Sequence, residues 1–220
     1  MTSVLITRIL KPQDEQLIQL VSKEYQLEGI SFVSFEAIPF DEIPEADWLF
    51  FYSKRGVQYF FKQPNDNEFL KKTKIAVMGK GTASELSKIA MPVDFIGEGQ
   101  PQEVAAAFLQ IAKGQSILFI RALHSNNSVR KLLENESNCN DLIVYKNTIQ
   151  PHKLEKAYDV IIFTSPLNVE GFFSLNQLEK HTKVISIGPS TTQKLIELNV
   201  DGIIESPNPE MERLIHLLFS

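Results

Sequence analysis

Short apolar runs along this chain alternate with segments in which apolar residues return every three or four positions. An apolar run bounded by turn residues is typical of a buried strand, whereas the i, i+3, i+4 spacing predicts a helix with one apolar face. The pattern is clearest in residues 159–198, DVIIFTSPLNVEGFFSLNQLEKHTKVISIGPSTTQKLIEL. It predicts strands at residues 160–163 and 184–187, each followed by a helix.

Each of these two strands stops at a turn of small residues that opens the next helix. The turns are Thr164-Ser165-Pro166 and Gly188-Pro189-Ser190-Thr191. Serine and threonine cap helix starts, proline suits the first helical position, and glycine lets the backbone come close to a ligand. Because the free N–H groups of a helix start carry partial positive charge, both turns are candidate anion sites.

The same succession of elements occurs twice in the chain. Three pairs of segments align without gaps: DWLFFYSKRGVQYFF (47–61) on 159–173, KIAVMGKGT (74–82) on 183–191, and VLITR (4–8) on ILFIR (117–121). We therefore interpret the chain as an internal duplication.

Each copy begins with a block of another kind, which contains VLITR (4–8) or ILFIR (117–121) and precedes the segment that starts at 47 or 159. In the first copy it has predicted strands at 3–9 and 29–35, with a helix between them whose apolar face is Leu17, Leu20 and Val21. In the second copy residues 142–145 take the place of the later strand. One block of each kind gives five strands alternating with helices, which predicts two α/β domains with doubly wound, mainly parallel, flavodoxin-like sheets.

Periodicity leaves open which first block joins which second block. The proline-bearing segments 36–45 and 146–154 are the candidate linkers. In an open parallel sheet, ligands bind beyond the carboxyl ends of the strands, where all the turns of small residues lie. Two such domains facing each other would place the turns around one cleft. Asp47 and Asp159 precede strands and are expected at the opposite edge.

Composition narrows the classes of function. A net charge of −5 argues against nucleic acid as the main partner. There is no apolar run near the roughly 20 residues of a membrane span and no signal-peptide pattern, so we expect a cytoplasmic protein. Cys139 is the only cysteine, which excludes an intrachain disulfide and a cysteine metal cluster, and its neighbours predict an exposed turn. An anionic ligand would be bound by local N–H groups, hydroxyls and a few basic side chains.

Several other sites are poorly supported by the sequence. Gly79-Lys80-Gly81-Thr82 lacks the spacing of a phosphate-binding loop, which argues against nucleotide binding. The four histidines share no metal-ligand spacing, so no metal site is predicted. A response-regulator receiver has the same fold but needs an acidic pair after its first strand. Arg8 and Ile9 stand at that place, so this class is excluded. For any single turn, simple helix capping explains the residues as well as ligand binding does, but four turns in matched positions favour a shared ligand site.

Together these segments resemble the uroporphyrinogen-III synthase family. The resemblance covers essentially the whole chain and is specific in the order and spacing of its short motifs. The motifs are LITR (5–8), YSKRGV (52–57), GKGT (79–82), IVYKNT (143–148), FTSP followed by NV and FF (163–173), IGPST (187–191), and ESP followed by a proline two residues later (205–209).

The resemblance implies a discontinuous first domain made of residues 1–35 and 150–220. Residues 44–141 would form the second domain, and residues 36–43 and 142–149 would run side by side as a two-stranded linker. Members of this family cyclise the linear tetrapyrrole hydroxymethylbilane to uroporphyrinogen III in haem and porphyrin biosynthesis, with inversion of the last ring and loss of water. That activity is a hydro-lyase reaction without a cofactor or a metal.

The substrate implied by the resemblance is a flexible polycarboxylate, which helix starts and hydroxyls are suited to bind. The resemblance also implies a monomer that could contact the preceding enzyme of the pathway. The alternative from another class is a non-catalytic two-domain protein that binds a tetrapyrrole or a small anion and has a regulatory role.

The resemblance assigns roles to individual residues. Tyr145 corresponds to the tyrosine of the family's Tyr-x-Thr segment and is the expected assistant to hydroxyl departure. The expected substrate-binding residues are Arg8, Ser53, Gly56, Gly79, Gly81, Thr82, Thr164, Ser165, Pro166, Gly188, Ser190 and Thr191. The chain departs from the family's pattern at three places: Arg55 stands where an asparagine is common, Thr148 lies one residue further from Tyr145, and Ser190 replaces a threonine.

Overall fold

The computed structural model describes residues 1–14, 19, 23–63, 67–208 and 211–219. They form two compact units, Met1–Ser34 with Thr148–Ser220, and Phe35–Asn147. The predicted helix face of Leu17, Leu20 and Val21 lies outside the described residues. None of the helices in these ranges has the length and apolar character that crossing a bilayer requires.

Strands and helices alternate through the described ranges. The strands are β1 Thr2–Ile6, β2 Tyr25–Gly29, β3 Val33–Ala37, β4 Trp48–Phe51, β5 Lys74–Val77, β6 Phe95–Ile96, β7 Ser116–Ala122, β8 Asn138–Ile149, β9 Val160–Phe163, β10 Lys183–Ser186 and β11 Ile204–Glu205. The helices are α1 Lys54–Phe61, α2 Asn67–Lys72, α3 Lys80–Ser87, α4 Pro101–Ala112, α5 Ser128–Leu133, α6 Pro166–Phe173, α7 Pro189–Glu197 and α8 Met211–His216. Two short 3₁₀ turns are Pro12–Asp14 and Leu217–Phe219.

The first unit contains a parallel sheet with the strand order β11-β10-β9-β1-β2. The central strand, β9, pairs through residues 160–162 with residues 4–6 of β1. Residues from the two ends of the chain therefore share one sheet. The second unit has the order β3-β8-β7-β4-β5-β6, and the strands from β8 to β6 are parallel. Under the repeat alignment, corresponding strands follow the same order in both sheets.

Both sheets are buried on both faces. In β4, Trp48 and Phe50 pack into one apolar cluster, and Leu49 and Phe51 pack into another. Successive side chains of a strand point to opposite faces, so a strand covered on both sides reads as one continuous apolar run. The strands of the first unit divide their side chains in the same way. The predicted α/β class with mainly parallel sheets is confirmed.

Several strand predictions have wrong limits, among them the strand predicted at 3–9, which ends at Ile6. The segment predicted as one strand over 29–35 belongs to two strands, because β2 ends at Gly29 and β3 begins at Val33. Between them Phe32 buries its ring and donates its N–H to the side chain of Asn168. The strand predicted at 142–145 is the middle of β8, whose pairing with β7 begins at Asn138.

The two predicted linker segments contain strand structure. Most of β8 pairs with β7, and β3 is its neighbour on the other side. The chain passes from one unit to the other within β3 and again within β8. Cys139, expected in an exposed turn, lies partly buried on β8, where burial raises the pKa of its thiol.

In each unit, an aspartate just before one strand binds a serine at the start of the neighbouring strand. Asp159 Oδ2 accepts hydrogen bonds from the N–H and the hydroxyl of Ser3, at 2.7 and 2.8 Å. Asp47 Oδ2 accepts the same two bonds from Ser116, at 2.8 and 2.6 Å. Both aspartates therefore lie at the amino ends of the strands, as predicted. The bonds lower the pKa of both carboxyl groups below the usual 3.8.

The paired aspartates predict a specific acid sensitivity. A carboxyl group whose pKa is lowered by folding stabilises the folded state above its unfolded pKa, and this contribution is lost as the pH falls through the folded-state pKa. We expect the double variant Asp47→Asn, Asp159→Asn to be less stable than the wild type at neutral pH and to lose less stability between about pH 5 and about pH 2. Urea unfolding midpoints measured across this range test it.

Asp201→Asn is the control, because Asp201 is exposed and has no hydrogen bond or ion pair within the described residues. Its pH dependence should follow the wild type. If the double variant also follows the wild type, the two aspartates do not contribute in this way.

Candidate functional site

Most of the predicted binding residues lie just beyond the ends of strands, and several of them begin a helix. In the first unit Arg8, Thr164 and Gly188 follow β1, β9 and β10, and in the second unit Ser53 and Gly79 follow β4 and β5. Because parallel strands have their carboxyl ends at one edge of the sheet, the residues of each unit gather at one edge. Each unit therefore has its own set of helix starts.

Ser165 caps the start of α6. Its Oγ accepts hydrogen bonds from the N–H of Asn168 at 3.2 Å and from the side-chain amide of Asn168 at 2.9 Å. A hydroxyl has one proton to donate and two lone pairs to accept with. Both lone pairs are used here, so the proton of Ser165 is left to donate to a carboxylate.

Thr164 is bound within the protein. Its N–H donates to Thr7 Oγ1 at 2.9 Å, and its hydroxyl donates to the carbonyl of Thr7 at 2.6 Å. These bonds join the carboxyl ends of β1 and β9. The geometry gives Thr164 a structural role, whereas Ser165 next to it has a free donor.

Asn168 was missed by sequence reasoning. Its side chain is buried, and its Oδ1 accepts from the N–H of Phe32 at 2.8 Å while its Nδ2 donates to Ser165. Its place three residues after a capping serine was the available signal, because that position faces back to the cap. The repeat hid this signal, since Gly56 stands at the corresponding position of the first copy.

The start of α7 is open. Gly188 is its N-cap, with an extended φ of 163° that any residue adopts, and a Cβ built on Gly188 would meet no atom within 4 Å. Neither backbone conformation nor packing therefore requires glycine here. Ser190 in the first turn is exposed, whereas Thr191 is only 1% exposed and its hydroxyl is out of reach of a ligand in this structure.

The start of α3 in the second unit resembles that of α7. Gly79 is its N-cap with an extended φ of 178°, and its added Cβ would meet only the carbonyl oxygen of Gly97, at 3.9 Å. An added Cβ at Gly81 would lie 2.9 Å from the side chain of Lys54, which places the starts of α1 and α3 side by side. Thr82 is buried.

Ser53 and Tyr145 meet at the start of α1. Ser53 Oγ accepts from the N–H of Gly56 at 3.0 Å and lies 3.2 Å from the hydroxyl of Tyr145. Gly56 itself is buried, and an added Cβ would lie 3.3 Å from the carbonyl oxygen of Ile120, so packing explains this glycine. The structure thus brings together the predicted phenol and one predicted binding hydroxyl.

Tyr145, which falls in the implied linker 142–149, is a residue of the sheet. It lies on β8 with 8% of its surface exposed, and its ring stacks on Tyr59 with 5.3 Å between centroids and 15° between planes. Tyr59 is held by a hydrogen bond from its hydroxyl to the carbonyl of Phe35. The Tyr145 phenol is therefore fixed in orientation, with its oxygen at Ser53.

Another tyrosine near α1 is directed elsewhere. The hydroxyl of Tyr52 accepts from the N–H of Arg130, and burial raises the pKa of Tyr52 to about 12.

Arg8, a predicted substrate-binding residue, is paired with Asp14 at 2.7 Å, and its counterpart Arg121 is paired with Asp141 at 3.0 Å. In both copies this arginine already binds a carboxylate of the protein.

A family model described as "Uroporphyrinogen-III synthase HemD" matches residues 30–216. The chain belongs to the uroporphyrinogen-III synthase family. A Methanocaldococcus jannaschii protein, whose own assignment as a uroporphyrinogen-III synthase is provisional, is 28% identical over 88% of this chain and 88% of its own length. The function in tetrapyrrole biosynthesis predicted from the motifs is thereby supported at the level of the family.

Solved structures of this family share the fold. The uroporphyrinogen-III synthetase of Helicobacter pylori 26695 superposes with a TM-score of 0.77 at 19% identity, covering 100% of this chain and 99% of that one. A mutant uroporphyrinogen III synthase of Thermus thermophilus gives 0.64 at 16% identity, covering 100% and 97%. At these identities the likeness concerns the fold.

The open helix start at Gly188 leads to a prediction. Replacing glycine by alanine where the backbone permits it stabilises a protein by about 0.4–1 kcal/mol through the unfolded state. Because alanine is less favourable than glycine at an N-cap, this gain is opposed, and Gly188→Ala should fold with a stability within about 1 kcal/mol of the wild type. If a substrate carboxylate occupies the open space, the new methyl weakens a hydrogen bond to a charged group, and activity should fall roughly tenfold.

Thermal unfolding and the rate of uroporphyrinogen III formation measure the two effects separately. Gly171→Ala is the matched control, because its Cβ would lie 2.6 Å from the Cβ of Phe32 and should destabilise the fold. Unchanged activity in a stable Gly188→Ala protein would show that no substrate group approaches this glycine.

Proposed function

We propose that this chain closes hydroxymethylbilane to uroporphyrinogen III through the phenol of Tyr145 and the helix starts of its two sheets. The family to which the chain belongs acts on a tetrapyrrole substrate. The observation on which the proposal rests is the contact between the Tyr145 hydroxyl and Ser53, the cap of α1. This contact links the expected proton donor to the edge of the sheet at which α1 and α3 begin.

Tyr145 has the role of a proton donor to the departing hydroxyl. A phenol carries its proton at neutral pH, and its orientation here is fixed by Tyr59 and Ser53. As the carbon–oxygen bond breaks, the phenol proton leaves with the hydroxyl as water, and an electrophilic azafulvenium cation and a phenolate remain. The last ring attacks this cation through its substituted α-carbon to give a spiro intermediate. The bond from that carbon to the neighbouring methylene then breaks and a new bond forms at the free α-carbon, which inverts the ring, and the proton released when the pyrrole is restored returns to the phenolate. Atoms and charges balance without another reactant.

The helix starts have the role of binding carboxylates. Backbone N–H groups at the starts of α7 and α3 can reach a ligand because Gly188 and Gly79 leave the approach open. The hydroxyls of Ser165 and Ser190 add donors. Neutral groups of this kind can orient a polycarboxylate in a protein whose net charge is −5.

The competing reading is a non-catalytic binding or regulatory protein, which the family match does not favour. The deciding experiment is incubation of the pure protein with enzymatically made hydroxymethylbilane, followed by separation of the type I and type III products. Uroporphyrinogen III in excess over the uncatalysed type I product supports the proposal, and type I product alone contradicts it.

We also propose that the enzyme works as a cytoplasmic monomer that can receive its substrate from the preceding enzyme. The molar mass measured by light scattering tests whether the protein is a monomer.

The role of Tyr145 is tested by Tyr145→Phe. The variant keeps the ring stacked on Tyr59 and loses only the hydroxyl at Ser53, so the fold should be retained. General acid assistance contributes roughly 10²- to 10⁴-fold, and spontaneous loss of this hydroxyl is possible, so we expect turnover to fall by about 10²-fold or less. Type I product should rise.

Tyr158→Phe is the control, since it also removes a buried phenol hydrogen bond, the one to Glu28. Its activity per folded molecule should match the wild type. Ring closure by Tyr145→Phe at the wild-type rate would mean that Tyr145 serves packing alone.

A further inference from the structure

Arg55 lies on the first turn of α1, two residues after Ser53, whose hydroxyl contacts the Tyr145 phenol. Its guanidinium carbon is 3.4 Å from the centroid of the Phe35 ring, a cation–π contact that holds the planar group in place. The Phe35 ring is in turn 6.3 Å from the Tyr145 ring, centroid to centroid. The guanidinium of Arg55 and the ring of the proposed proton donor thus both lie against Phe35.

Arg55 differs from the other arginines whose side chains the structure describes. Arg8 pairs with Asp14, Arg121 with Asp141, and Arg130 with Glu134. Within the described ranges, no carboxylate lies at ion-pair distance from Arg55 and its side chain makes no hydrogen bond. The five donors of its guanidinium are free to bind a ligand.

The position of Arg55 is unfavourable without an anion. The Arg55 side chain is exposed in part, and the part that packs against its neighbours loses contact with water, which lowers the pKa of Arg55. The first turn of α1 contains two basic residues, Lys54 and Arg55, and no acidic residue. Cations at a helix start are repelled by the helix dipole. Both costs are offset when an anion binds the guanidinium.

We propose that Arg55 is a specificity-determining residue that binds a carboxylate of the pyrrole ring whose hydroxyl departs at Tyr145. The guanidinium fork matches a carboxylate in two parallel hydrogen bonds, which an asparagine at this place does not provide. Stacking on Phe35 orients the fork before the substrate arrives, so little side-chain freedom is lost on binding. This inference rests on the proposed function.

The test compares Arg55→Met and Arg55→Lys with the wild type in steady-state kinetics with hydroxymethylbilane. Loss of one charge-assisted pair should raise KM about tenfold in Arg55→Met, with kcat within about twofold. The lysine variant should recover part of the loss, because it keeps the charge without the fork. Inhibition by uroporphyrinogen III, which keeps the carboxylates and lacks the departing hydroxyl, should weaken by the same factor in Arg55→Met.

Lys62→Met is the matched control. It removes a cation that lies over Tyr59 at the other end of α1, with Nζ 5.6 Å from the ring centroid, and should leave KM unchanged. Added salt should raise KM more steeply in the wild type than in Arg55→Met, because the screened charge pair is already absent from the variant.

The outcomes separate the two hypotheses. A wild-type protein that forms no uroporphyrinogen III contradicts the proposed function, whatever Arg55 does. An active wild type with KM and product inhibition unchanged in Arg55→Met overturns the present inference alone. A fall in kcat without a change in KM also overturns it, since Arg55 would then act by positioning Tyr145. If Arg55→Met does not fold, Arg55→Gln takes its place in the same comparison.

Discussion

The pairing of β1 with β9 is the interaction on which the first unit depends. Residues 4–6 lie against residues 160–162 in parallel register, and Ser3 is bound to Asp159 where the two strands begin. The same register brings Thr7 against Thr164 at the other ends of the strands. Because α6 starts two residues beyond Thr164, the place of its capping serine follows from a contact between distant parts of the chain.

Local patterns in the sequence predicted the elements well where neighbours along the chain decide the structure. Apolar runs that end in Ser, Thr, Gly or Pro marked strand ends and helix starts in both units, because capping and periodicity act within a few residues. The same signals failed in β8, whose length depends on β7 and β3 as partners. They also failed at Phe32, which lies between β2 and β3 and donates its N–H to the side chain of Asn168, 136 residues away in the chain.

The candidate site was predictable in its place and less so in its contacts. The motifs located the helix starts, and the resemblance pointed to Tyr145. The stacking of Tyr145 on Tyr59 and the burial of Thr191 depend on tertiary packing that no spacing encodes. The glycines show the same division, since Gly56 and Gly171 are required by close neighbours whereas Gly188 and Gly79 are not. Sequence alone does not distinguish a glycine that packs from one that leaves room for a ligand.

The discontinuous first unit has a consequence for synthesis on the ribosome. Residues 35–147 form a compact unit from one continuous stretch, and all of its strands are present before β9 has been made. β1 can pair early with β2, but its other edge has no partner until residues 160–162 emerge. An unpaired strand edge with apolar side chains is a site for aggregation, so the growing chain has to protect Val4, Leu5 and Ile6 while the whole second unit is translated. β1 is thus made before the strands of the second unit, yet it lies in a sheet that is completed after them.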